Sequence, residues 1–197
     1  MSVSSNPESD DSDNGSPAHP GGRRLTLQLR TAREAPEDVV LLNRQRTTRA
    51  DWDAVRRFLR RLSGELATPG FTVCLLSDEA IRRFNRQFRG VDRPTDVLSF
   101  PAEESGNGRR RYLGDILISV ETARDNARRY ALRLEEEIQV LALHGLLHLL
   151  GYDHERDHGE MARLERRWSR RLGLPQSLTG RARLRFASQE RPGRSSR

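Results

Sequence analysis

Residues 144–154 read HGLLHLLGYDH and place His144, His148 and His154 at offsets 0, 4 and 10, with Gly151 at offset 7. On a helix, residues four apart share a face and lie one turn, roughly 6 Å, apart along the axis. His144 and His148 can therefore aim two imidazoles at one point. Ten residues of continuous helix would carry His154 roughly 15 Å away. The chain must break and turn back, and Gly151 stands where a helix ends on a residue of positive φ. Three ring nitrogens can then meet one ion, and three protein ligands with a fourth position open describe a catalytic zinc site rather than a structural one. The plainer reading makes these histidines core or surface residues. Buried among Leu143, Leu146, Leu147 and Leu149, two neutral imidazoles would need partners for four ring nitrogens, and a metal supplies one for each. Imidazole also suits nickel, copper and iron, so zinc is the expectation and the ion's identity stays open. His158 follows Asp157 in a polar turn and reads as a solvated bystander.

The offsets of His, His, Gly and His match the metzincin protease pattern H-E-x-x-H-x-x-G-x-x-H. The glutamate after the first histidine is the general base of those proteases. Here that position is Gly145. The cage is present without the base, so peptide hydrolysis would need a base from another part of the chain.

The elements that must position these residues can be read from periodicity. LTLQL (25–29) alternates and predicts a first strand, while 31–47 is ambiguous. Residues 50–66 place Trp52, Val55, Phe58, Leu59 and Leu62 on one helical face, and Thr68-Pro69-Gly70 ends the helix. FTVCLL (71–76) predicts a buried strand, Ser77 an N-cap, and Ile81, Phe84 and Phe88 the face of a helix that stops at Gly90. DVLSF (96–100) and YLGDILIS (112–119) predict two more strands, with a loop at 101–110 and a helix opening near Ser119. Glu135–Leu150 is apolar nearly all round towards its end and should be the central buried helix. A last helix spans about 159–172, with Met161, Leu164, Trp168 and Leu172 on one face. Together these predict an α+β domain: about four strands in a mixed sheet packed with helices, the central buried helix carrying the histidines.

Composition bounds the rest. The 197 residues fit one domain with tails. Residues 1–22 carry four acids and no base, and 180–197 carry six arginines and one glutamate. Both ends read as disordered, which divides the chain into an acidic extension (1–22), a folded domain (23–175) and a basic tail (176–197). Net charge is +7, and all 35 basic residues are arginine. A basic body rich in bidentate phosphate-binding groups favours nucleic acid, though the same charge also serves plain solubility. A single cysteine, Cys74, rules out an intrachain disulfide and fits a reducing compartment. The N-terminus shows no secretory signal, and the longest apolar stretch, Val140–Leu150, is too short for a bilayer. A cytoplasmic protein without a membrane partner is expected.

HGLLHLLGYDH, together with FRGVDRPTDVLSFP (88–101) and LGDILIS (113–119), resembles the YbeY family of bacterial rRNA maturation endoribonucleases, with the three blocks in the family's order. The resemblance runs from about Leu25 to Leu174. It implies an α+β fold and one zinc held by His144, His148 and His154. It also implies a single-strand-preferring endoribonuclease that trims 16S rRNA, notably at its 3′ end, and acts in 70S ribosome quality control, with rRNA and ribosomal particles as partners. The family's functional arginine maps onto Arg89. Where the family often has lysine this chain has Arg93, whose planar fork can grip phosphate bidentately.

The expected chemistry lets ion and arginine share the charge that builds on a phosphodiester. Arg89 would carry that role, and its alternative is a cation at a helix C-terminus. Arg93 would be a weaker phosphate contact, or a solvated loop residue. Asp115 would line the cleft and touch substrate or act as base, or else face solvent at a sheet edge. Asp96 reads as a strand-entry residue, and Asp153 as either a support for an imidazole or a turn residue. No general base stands out, and the RNA 2′-OH is an alternative nucleophile. A second class stays open: an RNA-binding assembly factor whose metal is structural and closed by a fourth ligand such as His158 or Asp157.

Overall fold

The computed structural model describes residues 38–102, 112–154, 156–175 and 178. The elements run β1 (Val40–Asn43), α1 (Trp52–Leu66), β2 (Gly70–Leu76), α2 (Asp78–Arg89), β3 (Val97–Pro101), β4 (Tyr112–Ser119), α3 (Val120–Arg129), α4 (Leu134–Leu149) and α5 (Glu160–Leu172). The sheet order is β1-β2-β4-β3, parallel except for β3, which runs antiparallel to β4. This is the α+β fold with a four-stranded mixed sheet that the sequence predicts. The first described strand, however, is β1 at Val40–Asn43, inside the stretch that sequence periodicity leaves ambiguous. Four residues are too few to show alternation; parallel pairing with Thr72–Leu75 settles their state. The predicted strand at 25–29, the extension 1–22 and most of the tail from 176 lie outside the described residues.

Every residue of β2 is buried, as an interior strand with both faces covered requires. On one face Val73, Leu75, Ile116 and Ile118 join Val55, Leu59 and Leu62 of α1 and Leu141, Leu143 and Leu146 of α4. On the other, Cys74, Leu76, Leu98 and Leu117 pack with Ile81 and Phe84 of α2. The helices therefore lie on both sides, α2 alone opposite α1 and α4.

Helix starts follow local rules. Ser77 Oγ accepts from the Ala80 N–H at 3.3 Å, Ser119 Oγ from Thr122 N–H at 3.3 Å, and Asp51 Oδ1 from Ala54 N–H at 2.9 Å. At α4 the Glu136 carboxylate accepts the Arg133 N–H at 2.8 Å, and Glu135, Glu136 and Glu137 place acid against the positive helix end. Glu135 also accepts the Asp51 N–H at 2.8 Å, tying the starts of α1 and α4 together. Ile138, Val140, Leu141, Ala142 and Leu143 are all 0% exposed, so α4 is the central helix.

Gly145 explains how closely α4 approaches the sheet. A Cβ there would meet Ile116 Cγ2 at 2.6 Å and Ser99 Oγ at 3.1 Å, and Ser99 Oγ donates to the Gly145 carbonyl at 3.1 Å. The helix backbone rests directly on β3 and β4, and a side chain at this position would push it off.

Candidate metal centre

His144 and His148 project from the last turns of α4, and the chain then turns as the spacing requires. Gly151 has φ +93°, its N–H donates to the His148 carbonyl at 3.0 Å, and the Tyr152 N–H donates to the Leu147 carbonyl at 3.1 Å. This pair of bonds is the Schellman ending, whose positive-φ position glycine fills without a Cβ clash. It brings His154 back: its ring centroid lies 5.3 Å from those of His144 and of His148, which are 4.7 Å apart. One ligand atom from each of the three lies within 4.8 Å of the others, and the two helical Nε2 atoms are 3.1 Å apart.

These residues suit a metal. A tetrahedral ion with bonds of roughly 2.0–2.1 Å needs donors about 3.3 Å apart, a spacing this cluster brackets. Burial, then the neighbouring His144 and His154, push the His148 imidazole down to about 4, against the opposing pull of Asp153 and a hydrogen bond to the Tyr152 backbone. His148 is therefore neutral at pH 7, the form that ligates. Exposure rises from His144 (buried) through His148 (half-buried) to His154 (exposed), so the cluster opens to solvent on the His154 side.

Among the described residues no fourth His, Cys, Asp or Glu joins the group. Asp157 uses both carboxylate oxygens on the start of α5, accepting from Gly159 N–H at 2.7 Å and Met161 N–H at 2.6 Å, which also holds its carboxyl below the usual range. His158 is exposed, and its carbonyl accepts from the Arg163 guanidinium at 3.2 Å. Asp153 builds the turn with its carbonyl, which accepts from Arg156 and Asp157 N–H at 3.1 and 2.9 Å.

Glu165 of α5 is a residue the sequence reading missed. It is 0% exposed, and its Oε1 lies 3.4 Å from His144 Nδ1, short of hydrogen-bond geometry, while accepting the Leu178 N–H at 2.9 Å. It faces the ring nitrogen turned away from His148, so it does not stand where the protease base would. The available signal was a carboxylate one turn after Met161, on the buried stripe of α5.

The other predicted site residues lie elsewhere. Arg89 is the exposed last residue of α2, and Arg93 is in the following turn, where its carbonyl accepts from Asn85 Nδ2 at 2.8 Å. Asp115 is buried on interior strand β4, not at a sheet edge. It pairs with Phe100, on the sheet face opposite Ser99 and α4, and accepts from Tyr112 Oη at 2.7 Å. Burial raises its carboxyl above the usual range, with the tyrosine hydroxyl pulling the other way. An extra residue in β4 between the Gly70 and Thr72 pairings, beside Gly114, is the bulge that turns Tyr112 to the same side. Asp96 caps its own strand, accepting from Val97 N–H at 3.0 Å.

The family model for Endoribonuclease YbeY matches residues 42–173. This chain belongs to the YbeY family. The matched segment holds α1 through α5, the three histidines, Arg89, Arg93, Asp115 and Glu165, and leaves out both ends. The Endoribonuclease YbeY of Solibacter usitatus is 49% identical over 126 residues, covering 64% of this chain and 82% of that protein. That of Nautilia profundicola is 42% identical over 130 residues, covering 66% and 91%, and that of a Sulfurovum species 38% over 143 residues, covering 71% and 95%. A solution structure from Thermotoga maritima overlays with a TM-score of 0.49 at 27% identity, covering 81% of this chain and 99% of that one. Among the described residues of this YbeY-family chain, no helix is long and apolar enough to cross a membrane.

Proposed function

We propose that this chain is an endoribonuclease that cleaves single-stranded RNA at a zinc centre held by His144, His148 and His154, and that it matures the 3′ end of 16S rRNA and serves 70S quality control on ribosomal particles in the cytoplasm. The observation that carries the reading is the convergence of three imidazoles with no fourth protein ligand among the described residues. That count favours an ion with a position left for solvent or substrate over a closed structural site. Bound there, zinc supplies Lewis acidity and brings the pKa of water towards neutrality.

The chain's own residues do the rest. His144 is set against Glu165, and His148, bonded to the Tyr152 backbone, presents a neutral nitrogen in a constrained orientation. Arg89 binds the phosphodiester and shares the negative charge of the transition state, and Arg93 adds a second phosphate contact. Asp115 would reach substrate only from the other sheet face, and its substitution, discussed below, separates a structural from a binding role. Gly145, pressed on Ile116, leaves no side chain at the protease base position.

The test is cleavage of a single-stranded oligoribonucleotide by the purified full chain, with and without chelator, alongside metal analysis. Cleavage that stops with chelator and returns with zinc is the expected result. Undiminished cleavage by metal-free protein refutes the proposal.

A further inference from the structure

Phe88 is out of keeping with its position. It continues the buried face of α2, one turn beyond Phe84, yet it is 56% exposed. Its ring lies parallel to that of Phe84 (interplanar 10°, centroids 6.3 Å apart) and takes Phe100 edge-on at 4.9 Å. Two aromatic neighbours hold the ring in place, which lowers the entropy a ligand would lose on stacking against it. Residues 82–93 carry five arginines and one acid, Asp92, which is engaged with Arg82 at 2.7 Å. Arg86 and Arg89 on the same helix and Arg93 in the turn after it are exposed.

We propose that Phe88 is a stacking platform for an unpaired base of the RNA substrate, with these arginines holding the flanking phosphates. The inference rests on the endoribonuclease reading and deepens it. An exposed aromatic ring on a basic surface is how proteins hold single strands without reading sequence, because every base has a π face and every linkage a charge. A paired base is stacked within its helix and has no face to give, so the platform selects single strands. Phe88 and Phe100 lie on the sheet face opposite α4, and edge strand β3 stands between them and the metal centre. Ser99, next to Phe100, bonds the carbonyl of Gly145, beside His144, so an RNA strand stacked on Phe88 reaches the histidines around the open edge of the sheet.

The experiment uses the full zinc-loaded chain and a mixed-sequence oligoribonucleotide, presented single-stranded and as a blunt duplex. Phe88→Leu keeps the apolar cover over Phe84 and Phe100 but removes the π face. It should raise KM for the single strand about tenfold, within the range of base–aromatic stacking, with kcat, zinc content and Tm near wild type. Phe88→Tyr should restore KM. In Phe88→Trp, the single strand should quench added indole fluorescence above the background of Trp52 and Trp168, and the duplex should not. Wild-type KM in Phe88→Leu, or a Tm loss without a KM change, overturns the platform while leaving the nuclease intact. Wild-type protein that neither binds nor cleaves the oligonucleotide overturns the endoribonuclease reading and the platform with it.

Discussion

Glu165 Oε1 stands 3.4 Å from Nδ1 of His144, with the carboxylate 0% exposed and the histidine buried as well. An imidazole that ligates through Nε2 carries its proton on Nδ1, and that proton faces the carboxylate. A carboxylate that accepts this proton once Nε2 binds an ion sets the tautomer and raises ligand basicity. Glu165→Gln preserves shape and can still accept the Leu178 N–H, but it removes the charge. Metal affinity should fall about 10- to 100-fold, the usual cost of losing such a partner, read by competition with a chromophoric chelator. Unchanged affinity alongside a lowered Tm would reduce Glu165 to a packing role.

Binding and turnover should separate. If the three imidazoles hold the ion, His148→Ala should lose both zinc content and RNA cleavage. Arg89→Ala should keep its zinc and lose about 10²-fold in kcat, as removal of one charge-stabilising donor does. Metal analysis and single-turnover cleavage on the same preparations check both. Wild-type turnover in Arg89→Ala would reject its assignment.

Gly145 is predicted to be a packing residue. A methyl there lies 2.6 Å from Ile116 Cγ2, on a stiff β-branched side chain. Gly145→Ala should therefore cost about 1–3 kcal/mol, the range of overpacked cores, measured by denaturant unfolding. Gly145→Glu should unfold the domain further and yield no peptidase. A stable Gly145→Ala would show that α4 can lift from the sheet.

Asp115 gives a pH signature. Its folded-state carboxyl is raised by burial, so the folded chain holds this proton at a pH where the unfolded chain has released it. Stability therefore falls as pH rises from about 4 to the folded value, and the cost persists above it. Asp115→Asn removes the cost while keeping an acceptor for Tyr112. Its Tm should exceed wild type at pH 7, and the difference should close below about pH 4. RNA cleavage should survive the change. Lost cleavage with an intact fold would return Asp115 to the substrate contact its sequence context suggests.

Much of the fold and of the cage was legible because it depends on local periodicity. The i, i+4 histidines, the glycine at offset 7 and the apolar wrap of 135–150 each state a backbone geometry within a few residues. Capping serines at 77 and 119 did the same for α2 and α3. Strand β1 was not legible, since four residues take their state from the strand they pair with. Glu165 was not legible either: a lone carboxylate on a helix stripe acquires meaning only when another helix brings an imidazole against it.

The sequence by itself therefore determined the histidine cluster, because its three imidazoles lie within eleven residues whose spacing dictates one helix turn and one reversal. Only the tertiary structure decided what surrounds it. It set Glu165 behind His144, Gly145 on Ile116, Asp115 on the far sheet face and Phe88 against Phe100. These contacts join residues distant in the chain, and their geometry comes from how α4, α5, α2 and the sheet pack together rather than from any local pattern.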